Sequence, residues 1–211
     1  MNRDPVVSPS FSVKQHIIER WVQRRLGRID HERRVVSIAE TLFKLTSRLH
    51  ELGIAELRLL RMGCLVHDVG RRVSEKRHPT LGARMLADDR FLPLSDSERR
   101  ALRYFTRYHR GAVPPLGFDE ILESGDGRKR LRVLIALLRA ADGLDNRQLA
   151  PPRLVFAMRG RRLQIICYLD DVSGKAKRVF RRRKKFRMLE GLLECKVDVQ
   201  LEEVDCTRAV A

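Results

Sequence analysis

Apolar residues recur at helical spacing through the first two-thirds of the chain. The spacing predicts helices over residues 11–26, 30–49, about 55–69, 78–87, 95–109 and 129–146. Asp30 is a plausible N-cap for the second helix, and Gly70 suits the end of the third. Ser95 and Glu98 have the spacing of a capping box. The first 150 residues are therefore predicted to form a helical bundle.

After Pro151 and Pro152 the apolar residues alternate with a period of two. This pattern predicts a β-hairpin that turns at Arg159 and Gly160, then a helix over 177–193 and a last strand over 196–204. The predicted fold is mainly α, with a small C-terminal α+β unit of order β-β-α-β. We expect an N-terminal tail over 1–11, a helical domain over 12–149, and a basic unit over 150–211 that packs on it.

The composition fits a single domain with a small appendage. No apolar run approaches the roughly 18 to 20 residues that a membrane span needs, and residues 1–10 do not resemble a signal peptide. We therefore expect a soluble, cytoplasmic protein without a membrane partner. The four cysteines form no CxxC pair, which favours reduced thiols, and Cys64 falls on an apolar helix face.

The formal net charge of +17 indicates attraction to polyanions. Much of the excess lies in one basic segment, which contains Lys175, Lys177, Arg178, Arg181, Arg182, Arg183, Lys184, Lys185 and Arg187. Such a segment can bind nucleotide, polyphosphate or nucleic acid, but it can equally be a solvated helix face. Stacking partners for bases are scarce there beyond Phe180 and Phe186. Self-association stays open.

Four metal-type ligands occur on three different predicted helices: His31, His67, Asp68 and Asp142. Imidazole nitrogens and carboxylate oxygens suit divalent ions such as Mn, Fe, Co, Ni, Zn or Mg. Two ligands of each kind leave positions open for water and a substrate oxygen, as hydrolysis requires. The sequence therefore predicts one metal site, if the fold brings the three helices together.

Each of these residues also has an ordinary structural explanation. His31 lies in a first helical turn, where histidines are commonly exposed, and Asp142 could cap the end of its helix. The pair His67 and Asp68 ends a strongly apolar helix, where a buried carboxylate is costly unless it is paired or bound to a metal. The ordered set as a whole favours a metal site over four unrelated residues.

The string Leu65-Val66-His67-Asp68-Val69-Gly70 resembles the central motif of the HD superfamily of metal-dependent phosphohydrolases. His31 upstream and Asp142 downstream match the first and last ligands of that superfamily in order. The chain is most similar to the C-terminal HD-like region of the exopolyphosphatase and guanosine pentaphosphatase family. That similarity spans about residues 12–205 and is carried by the segments Arg77-His78-Pro79, Arg107-Tyr108-His109-Arg110 and Leu137–Asp145.

The resemblance implies an HD-type helical bundle and its metal ligands. It does not imply exopolyphosphatase activity, which in that family depends on N-terminal ATPase-like domains that these 211 residues do not include. His78 and His109 match positions that in some HD enzymes hold a second metal or the substrate phosphate. Taken alone, each would more often be a surface or capping histidine, so one or two ions remain open.

Two functions follow as hypotheses. The first is a phosphomonoesterase or phosphodiesterase that acts on a nucleotide-like or polyphosphorylated substrate. Its predicted catalytic residues are Asp68, Arg71, Arg72, His78 and His109, and its predicted phosphate-binding residues are Arg71, Arg72, Lys76, Arg147, Arg181, Arg182 and Arg183. The second is a non-catalytic regulatory module that binds polyphosphate, nucleotide or RNA, which the net charge and the basic segment favour.

Overall fold

The computed structural model describes residues 10–181 and 183–204. Its helices are α1 (Phe11–Leu26), α2 (Asp30–Leu45), α3 (Ser47–His50), α4 (Ile54–Val66), α5 (His78–Asp88), α6 (Asp96–Tyr108), α7 (Arg128–Leu144), α8 (Gly174–Phe180) and α9 (Arg187–Leu193). Its strands are β1 (Arg153–Arg159), β2 (Arg162–Leu169) and β3 (Lys196–Glu203). The predicted fold class is confirmed: the chain is mainly α with a small C-terminal β-β-α-β unit.

Helix α7 lies at the centre of the bundle and packs against α2, α4, α6 and α9. Its apolar residues are buried on nearly all sides, from Leu131 to Leu144. A helix that is apolar all round belongs inside a core. Two acidic residues at its C-terminal end, Asp142 and Asp145, are buried as well. Buried carboxylates require partners, so the end of α7 is where polar groups must converge.

Helix α4 ends at Val66, three residues earlier than predicted, and residues 67–73 form turns. Gly70 does not stop the helix through a positive φ. It is needed because a Cβ at this position would lie 2.5 Å from the carbonyl oxygen of His78 and 2.7 Å from the amide nitrogen of Gly82. The turn therefore packs directly on the start of α5, and the early end frees His67 and Asp68 from helical spacing.

Two other local predictions were wrong. Asp30 is the first residue of α2 rather than its N-cap, and its carboxylate accepts a hydrogen bond of 3.0 Å from Arg28 Nε instead of capping the helix. The predicted helix over 177–193 is divided into α8, a 3-10 turn at Arg183–Lys185, and α9. Phe180 and Phe186 are both buried, yet in one continuous helix they would point about 120° apart. The break lets both rings enter the core.

The sheet has the order β1-β2-β3. Strands β1 and β2 form the predicted antiparallel hairpin, and Gly160 in its turn has a φ of +57°. Strand β3 pairs parallel to β2 after a crossover that contains α8 and α9. This crossover brings the basic segment back over the C-terminal end of α7, which it contacts. The proposed domain limits stay a prediction.

Cys64, Cys167 and Cys195 are free, buried thiols, as the spacing indicated, and Cys206 lies outside the described residues. Burial raises the pKa of Cys64 well above its usual value. In the part of the chain that the structure describes, every helix is too short or too polar to cross a membrane.

Candidate metal centre

The predicted ligands come together at the ends of five helices. His67 follows the last residue of α4, His109 follows the last residue of α6, and Asp142 lies in the last turn of α7. His31 lies in the first turn of α2, and His78 begins α5. Helix ends carry backbone groups without intrahelical partners, so polar side chains collect there at low cost.

The first ligand group consists of His31, His67 and Asp142. All three residues are buried, and one ligand atom from each lies within 4.8 Å of the others. Asp142 Oδ1 is 3.4 Å from His31 Nε2 and 3.6 Å from His67 Nε2. The three helices that carry the predicted ligands are thus brought together, as the sequence required.

The second ligand group consists of Asp68, His78 and His109. Asp68 Oδ1 lies 3.0 Å from His78 Nε2 and 3.3 Å from His109 Nε2. It also lies 3.8 Å from His67 Nε2, so it borders the first group. Asp68 is therefore not in the same three-residue group as His67, although the two are neighbours in sequence. The sequence had placed Asp68 with His31, His67 and Asp142 around one ion.

Hydrogen bonds fix the tautomer of the histidine rings. Three rings approach the carbonyl oxygen three residues earlier in the chain: His67 Nδ1 donates to Cys64 (2.7 Å), His78 Nδ1 to Glu75 (2.6 Å) and His109 Nδ1 to Thr106 (2.8 Å). A carbonyl can only accept, so each Nδ1 carries the proton and each Nε2 of a neutral ring carries a lone pair. Such outer partners orient metal-binding histidines in the same way.

The fourth ring is held by a charged side chain. His31 Nδ1 donates to Asp145 Oδ2 at 2.5 Å, and Arg34 donates to the same carboxylate through Nε at 2.8 Å and Nη2 at 3.1 Å. This is the carboxylate–histidine pairing common behind metal ligands. The Nε2 atoms of all four histidines therefore face the interior of the site.

The atoms that face the interior of the site are mostly acceptors, which suits a bound cation better than hydrogen bonds among themselves. His78 Nε2 and His109 Nε2 are 3.0 Å apart, and in neutral rings two lone pairs would face each other at that distance. His31 Nε2, His67 Nε2 and Asp68 Oδ1 are buried and have no hydrogen-bond partner among the described residues. Orphaned buried polar atoms are costly. Because imidazole nitrogen and carboxylate oxygen are suitable ligands, the donor set fits one or two divalent ions.

The ionisation of the site reflects burial and the close charges. Burial disfavours the charged form of Asp68, but the charge of His67 and the close approach of the His109 and His78 rings outweigh it and hold the pKa of Asp68 well below its usual value. The pKa of Asp142 is lowered likewise, against its burial, mainly by Lys185. Burial also opposes protonation of His67, yet Asp68 and Asp142 raise its pKa to about 9. Burial lowers the pKa of His109 to about 4.

Charged side chains surround the two ligand groups. Arg147 Nη2 donates to Asp68 Oδ2 at 3.0 Å and also to Glu32 Oε1, and Glu32 is completely buried. Arg71 Nη1 lies 3.7 Å from Asp68 Oδ2. Lys185 Nζ donates to Asp142 Oδ2 at 2.5 Å. The Oδ2 atoms of Asp68 and Asp142 are thus paired with cationic side chains, whereas their Oδ1 atoms face the histidines.

Sequence reasoning missed Glu32, Arg34, Asp145 and Lys185. Glu32 and Asp145 had a local signal, because each is an acidic residue close in sequence to a predicted ligand. Arg34 had none, and Lys185 was named only as a member of the basic segment, because each contacts a residue more than 40 positions away along the chain.

The other predicted site residues divide into three sets. Arg71 and Arg147 line a pocket of about 520 Å³ above the ligands, together with Arg110, Arg178 and Lys185. Arg72 and Lys76 are exposed and do not line it, and Arg181 lines a separate hollow beside the sheet. Arg182 and the side chain of Arg183 lie outside the described residues. The phosphate-binding roles of all these residues stay predictions.

One protein family, described as Ppx/GppA phosphatase domain III, matches residues 19–155. The matched region runs from within α1 into β1 and contains both ligand groups. The basic segment lies beyond it. No curated protein sequence matches the chain. Because the match covers well over half of the 211 residues, the chain belongs to the Ppx/GppA phosphatase domain III family.

Proposed function

We propose that the chain is a metal-dependent phosphohydrolase with an HD-type centre of two neighbouring divalent ions. The observation that carries the proposal is the pair of buried ligand groups, in which His31 Nε2, His67 Nε2 and Asp68 Oδ1 have no hydrogen-bond partner among the described residues. The substrate is a phosphomonoester or phosphodiester of nucleotide-like or polyphosphorylated character. The family match supports a phosphate-bearing substrate, and the cationic pocket above the ligands supports the same class.

His31, His67 and Asp142 would hold one ion, and Asp68, His78 and His109 the other. When bound, divalent ions supply a water-derived nucleophile near neutral pH and neutralise charge on phosphate oxygens. The protein's own contribution is orientation. Backbone carbonyls and Asp145 keep each Nδ1 protonated, so that each Nε2 stays available as a ligand.

Substrate phosphate would enter through the pocket lined by Arg71, Arg110 and Arg147. Cations placed near developing charge lower the barrier to phosphoryl transfer. Arg147 is bound to Glu32 and Asp68, which limits its movement. It is therefore preorganised beside the second ligand group, where a phosphate oxygen would need a donor.

The test is phosphate release with added Mn²⁺ from a panel of nucleotides, polyphosphate and simple phosphoesters. The wild type should turn over at least one class, and Asp68→Ala should abolish that turnover. Asp88→Ala is a matched control, because Asp88 is an exposed carboxylate on α5 that pairs with Arg84, its one ion-pair partner among the described residues. Turnover that survives in Asp68→Ala, or is absent from the wild type, would contradict the proposal.

A second candidate is a non-catalytic module that binds polyphosphate, nucleotide or RNA. The observation that favours it is the basic segment, in which Arg178, Arg181 and Lys184 are exposed and have no ion-pair partner among the described residues. Such a surface would bind polyanions through counterion release, and the affinity would fall steeply with salt.

One pair of variants distinguishes the two candidate functions. If the chain is only a binding module, reversal of charge at Arg181 should weaken binding of polyphosphate or RNA, while Asp68→Ala should leave it unchanged. An affinity that ignored salt would exclude the module. Metal-dependent turnover that Arg181→Glu leaves intact would favour the enzyme.

A further inference from the structure

Lys185 reaches the candidate metal centre from outside the family-matched region. It lies on the 3-10 turn at Arg183–Lys185, whereas the match ends at residue 155. Its Nζ is 2.5 Å from Asp142 Oδ2, while Oδ1 of the same carboxylate faces His31 at 3.4 Å and His67 at 3.6 Å. The ammonium of Lys185 therefore contacts the first ligand group directly, through the Oδ2 atom of Asp142.

The position of Lys185 is fixed by packing. A Cβ on Gly143 would lie 2.9 Å from Lys185 Cβ and 3.1 Å from its Cγ, so the glycine allows the lysine stem to lie directly against α7. Phe180 before the turn and Phe186 after it are both buried in the core. The side chain of Lys185 is only 18% exposed. An ammonium held in this way is part of the pocket wall.

The ammonium of Lys185 has more N–H donors than it uses within the described residues. An ammonium has three donors, and Asp142 is its one hydrogen-bond partner among the described residues. Arg147, in comparison, already holds both Glu32 and Asp68, and Arg71 holds Glu75 and lies near Asp68. The side chain of Lys185 lines the same 520 Å³ pocket as these arginines. It can therefore hold Asp142 and an incoming anion at the same time.

We propose that Lys185 is a phosphate-binding residue of the metal pocket, supplied by the C-terminal unit. This inference rests on the proposed function and extends it: the site is completed by a cation that lies beyond the family-matched region. Asp142 would use one oxygen for its ion and the other to aim the ammonium at the substrate. The competing explanation is that Lys185 only neutralises and orients Asp142.

The test measures Mn²⁺ affinity and phosphate affinity separately, by calorimetry. Inorganic phosphate is titrated into protein that carries stoichiometric Mn²⁺, for the wild type, Lys185→Met, Lys185→Arg and Lys44→Met. Methionine keeps an unbranched stem over Gly143 and removes the charge. Lys44 is an exposed lysine on α2, outside both the basic segment and the metal pocket, and serves as the matched control. Thermal unfolding verifies that each variant is folded.

For Lys185→Met we expect phosphate affinity to fall about tenfold or more, as loss of a hydrogen bond to a charged group implies. Its Mn²⁺ affinity should stay equal to that of the wild type or increase. Lys185→Arg should retain most of the phosphate affinity, and Lys44→Met all of it. In turnover assays, Lys185→Met should show an increased KM for the phosphorylated substrate.

Three results would overturn the inference. Unchanged phosphate affinity in Lys185→Met, beside a wild type that turns over substrate, would refute the role of Lys185 and leave the proposed function intact. Weaker Mn²⁺ binding with unchanged phosphate affinity would assign Lys185 to orientation of Asp142. A wild type that binds no Mn²⁺ and releases no phosphate would refute the proposed function, and this inference with it.

Discussion

The two ligand groups are adjacent, yet they are supported by different kinds of interaction. In the second group, His78 and His109 are both held by backbone carbonyls three residues earlier in the chain. In the first group, His31 is held by Asp145 and Asp142 by Lys185, across 114 and 43 residues of sequence. His78 and His109 are thus oriented by local chain geometry, whereas His31 and Asp142 depend on long-range charged contacts. Each group also has one member of the other kind, because His67 is held by the carbonyl of Cys64 and Asp68 by Arg147.

This difference implies that side-chain substitutions behind the histidines can alter the orientation of His31 far more than that of His78 or His109. A carbonyl cannot be removed by exchanging a side chain, whereas Asp145, Arg34 and Lys185 can be exchanged. The two groups also differ in ionisation, because the pKa of His67 is raised to about 9 and that of His109 is lowered to about 4. In the absence of a metal ion, the proton on His67 supplies positive charge to the first group at neutral pH.

The largest effects should come from removing one ligand of either group. Asp142→Asn and His109→Gln should each lower Mn²⁺-dependent turnover more than about 100-fold, which is the upper end for loss of an outer partner. Metal content after gel filtration should show loss of one ion in each variant. Asp88→Asn is the surface control. Equal metal content in wild type and variants would contradict the assignment of a separate ion to each group.

Removing an outer partner should affect the first group alone. Asp145→Asn leaves a neutral group behind His31, and Mn²⁺ affinity at that site should fall about 10- to 100-fold. A two-site calorimetric titration should show that the other site keeps its affinity. Asp126→Asn is the control, because Asp126 is also a buried partner of an arginine, Arg100, but it does not line the metal pocket. Equal weakening of both sites would contradict the comparison.

The raised pKa of His67 should make the metal-free protein less stable at alkaline pH. The folded pKa of about 9 lies above the ordinary value of 6.5, so the folded state holds this proton more tightly. The resulting stabilisation is fully present below about pH 6.5 and is lost as the pH rises through 9.

We expect the unfolding free energy to fall on the order of 2 kcal/mol across that range, in urea titrations with EDTA. His67→Gln should flatten the profile there, as should bound Mn²⁺, which replaces the proton. A wild-type profile without this slope would contradict the ionisation difference between the two groups.

The smallest effect should come from the turn that carries Asp68 past the start of α5. Gly70→Ala places a Cβ against the backbone of His78 and Gly82, which should cost about 1–2 kcal/mol of stability. It should weaken the second site more than the first, because His78 is displaced. Gly191→Ala is the control, since its Cβ would meet nothing within 4 Å on an exposed helix face. Equal losses in both variants would contradict the packing argument.

The bundle could be predicted because its helices have strong apolar periodicity and local end signals. Helix α1 has the predicted bounds, and the Ser95 and Glu98 capping box forms as expected, with both of its hydrogen bonds present. The end of α4 could not be predicted, since it depends on how closely Gly70 approaches α5. The division of the predicted helix over 177–193 also required knowledge of the core that receives Phe180 and Phe186.

The residues that meet at the candidate site could be predicted from the sequence, but their arrangement could not. The order of His31, His67, Asp68 and Asp142 indicated a metal centre, and His78 and His109 were identified by resemblance. The sequence could not show that Asp68 lies with the last two histidines, because that follows from the early end of α4. Nor could it show Lys185, whose contact with Asp142 depends on the crossover between β2 and β3.

The most direct test of the central claim is a calorimetric titration of Mn²⁺ into the metal-free wild-type chain at neutral pH. Two neighbouring ligand groups predict two ions per chain, with the second ion lost in Asp68→Asn. The absence of Mn²⁺ binding in the wild type, or a stoichiometry that Asp68→Asn leaves unchanged, would contradict the account.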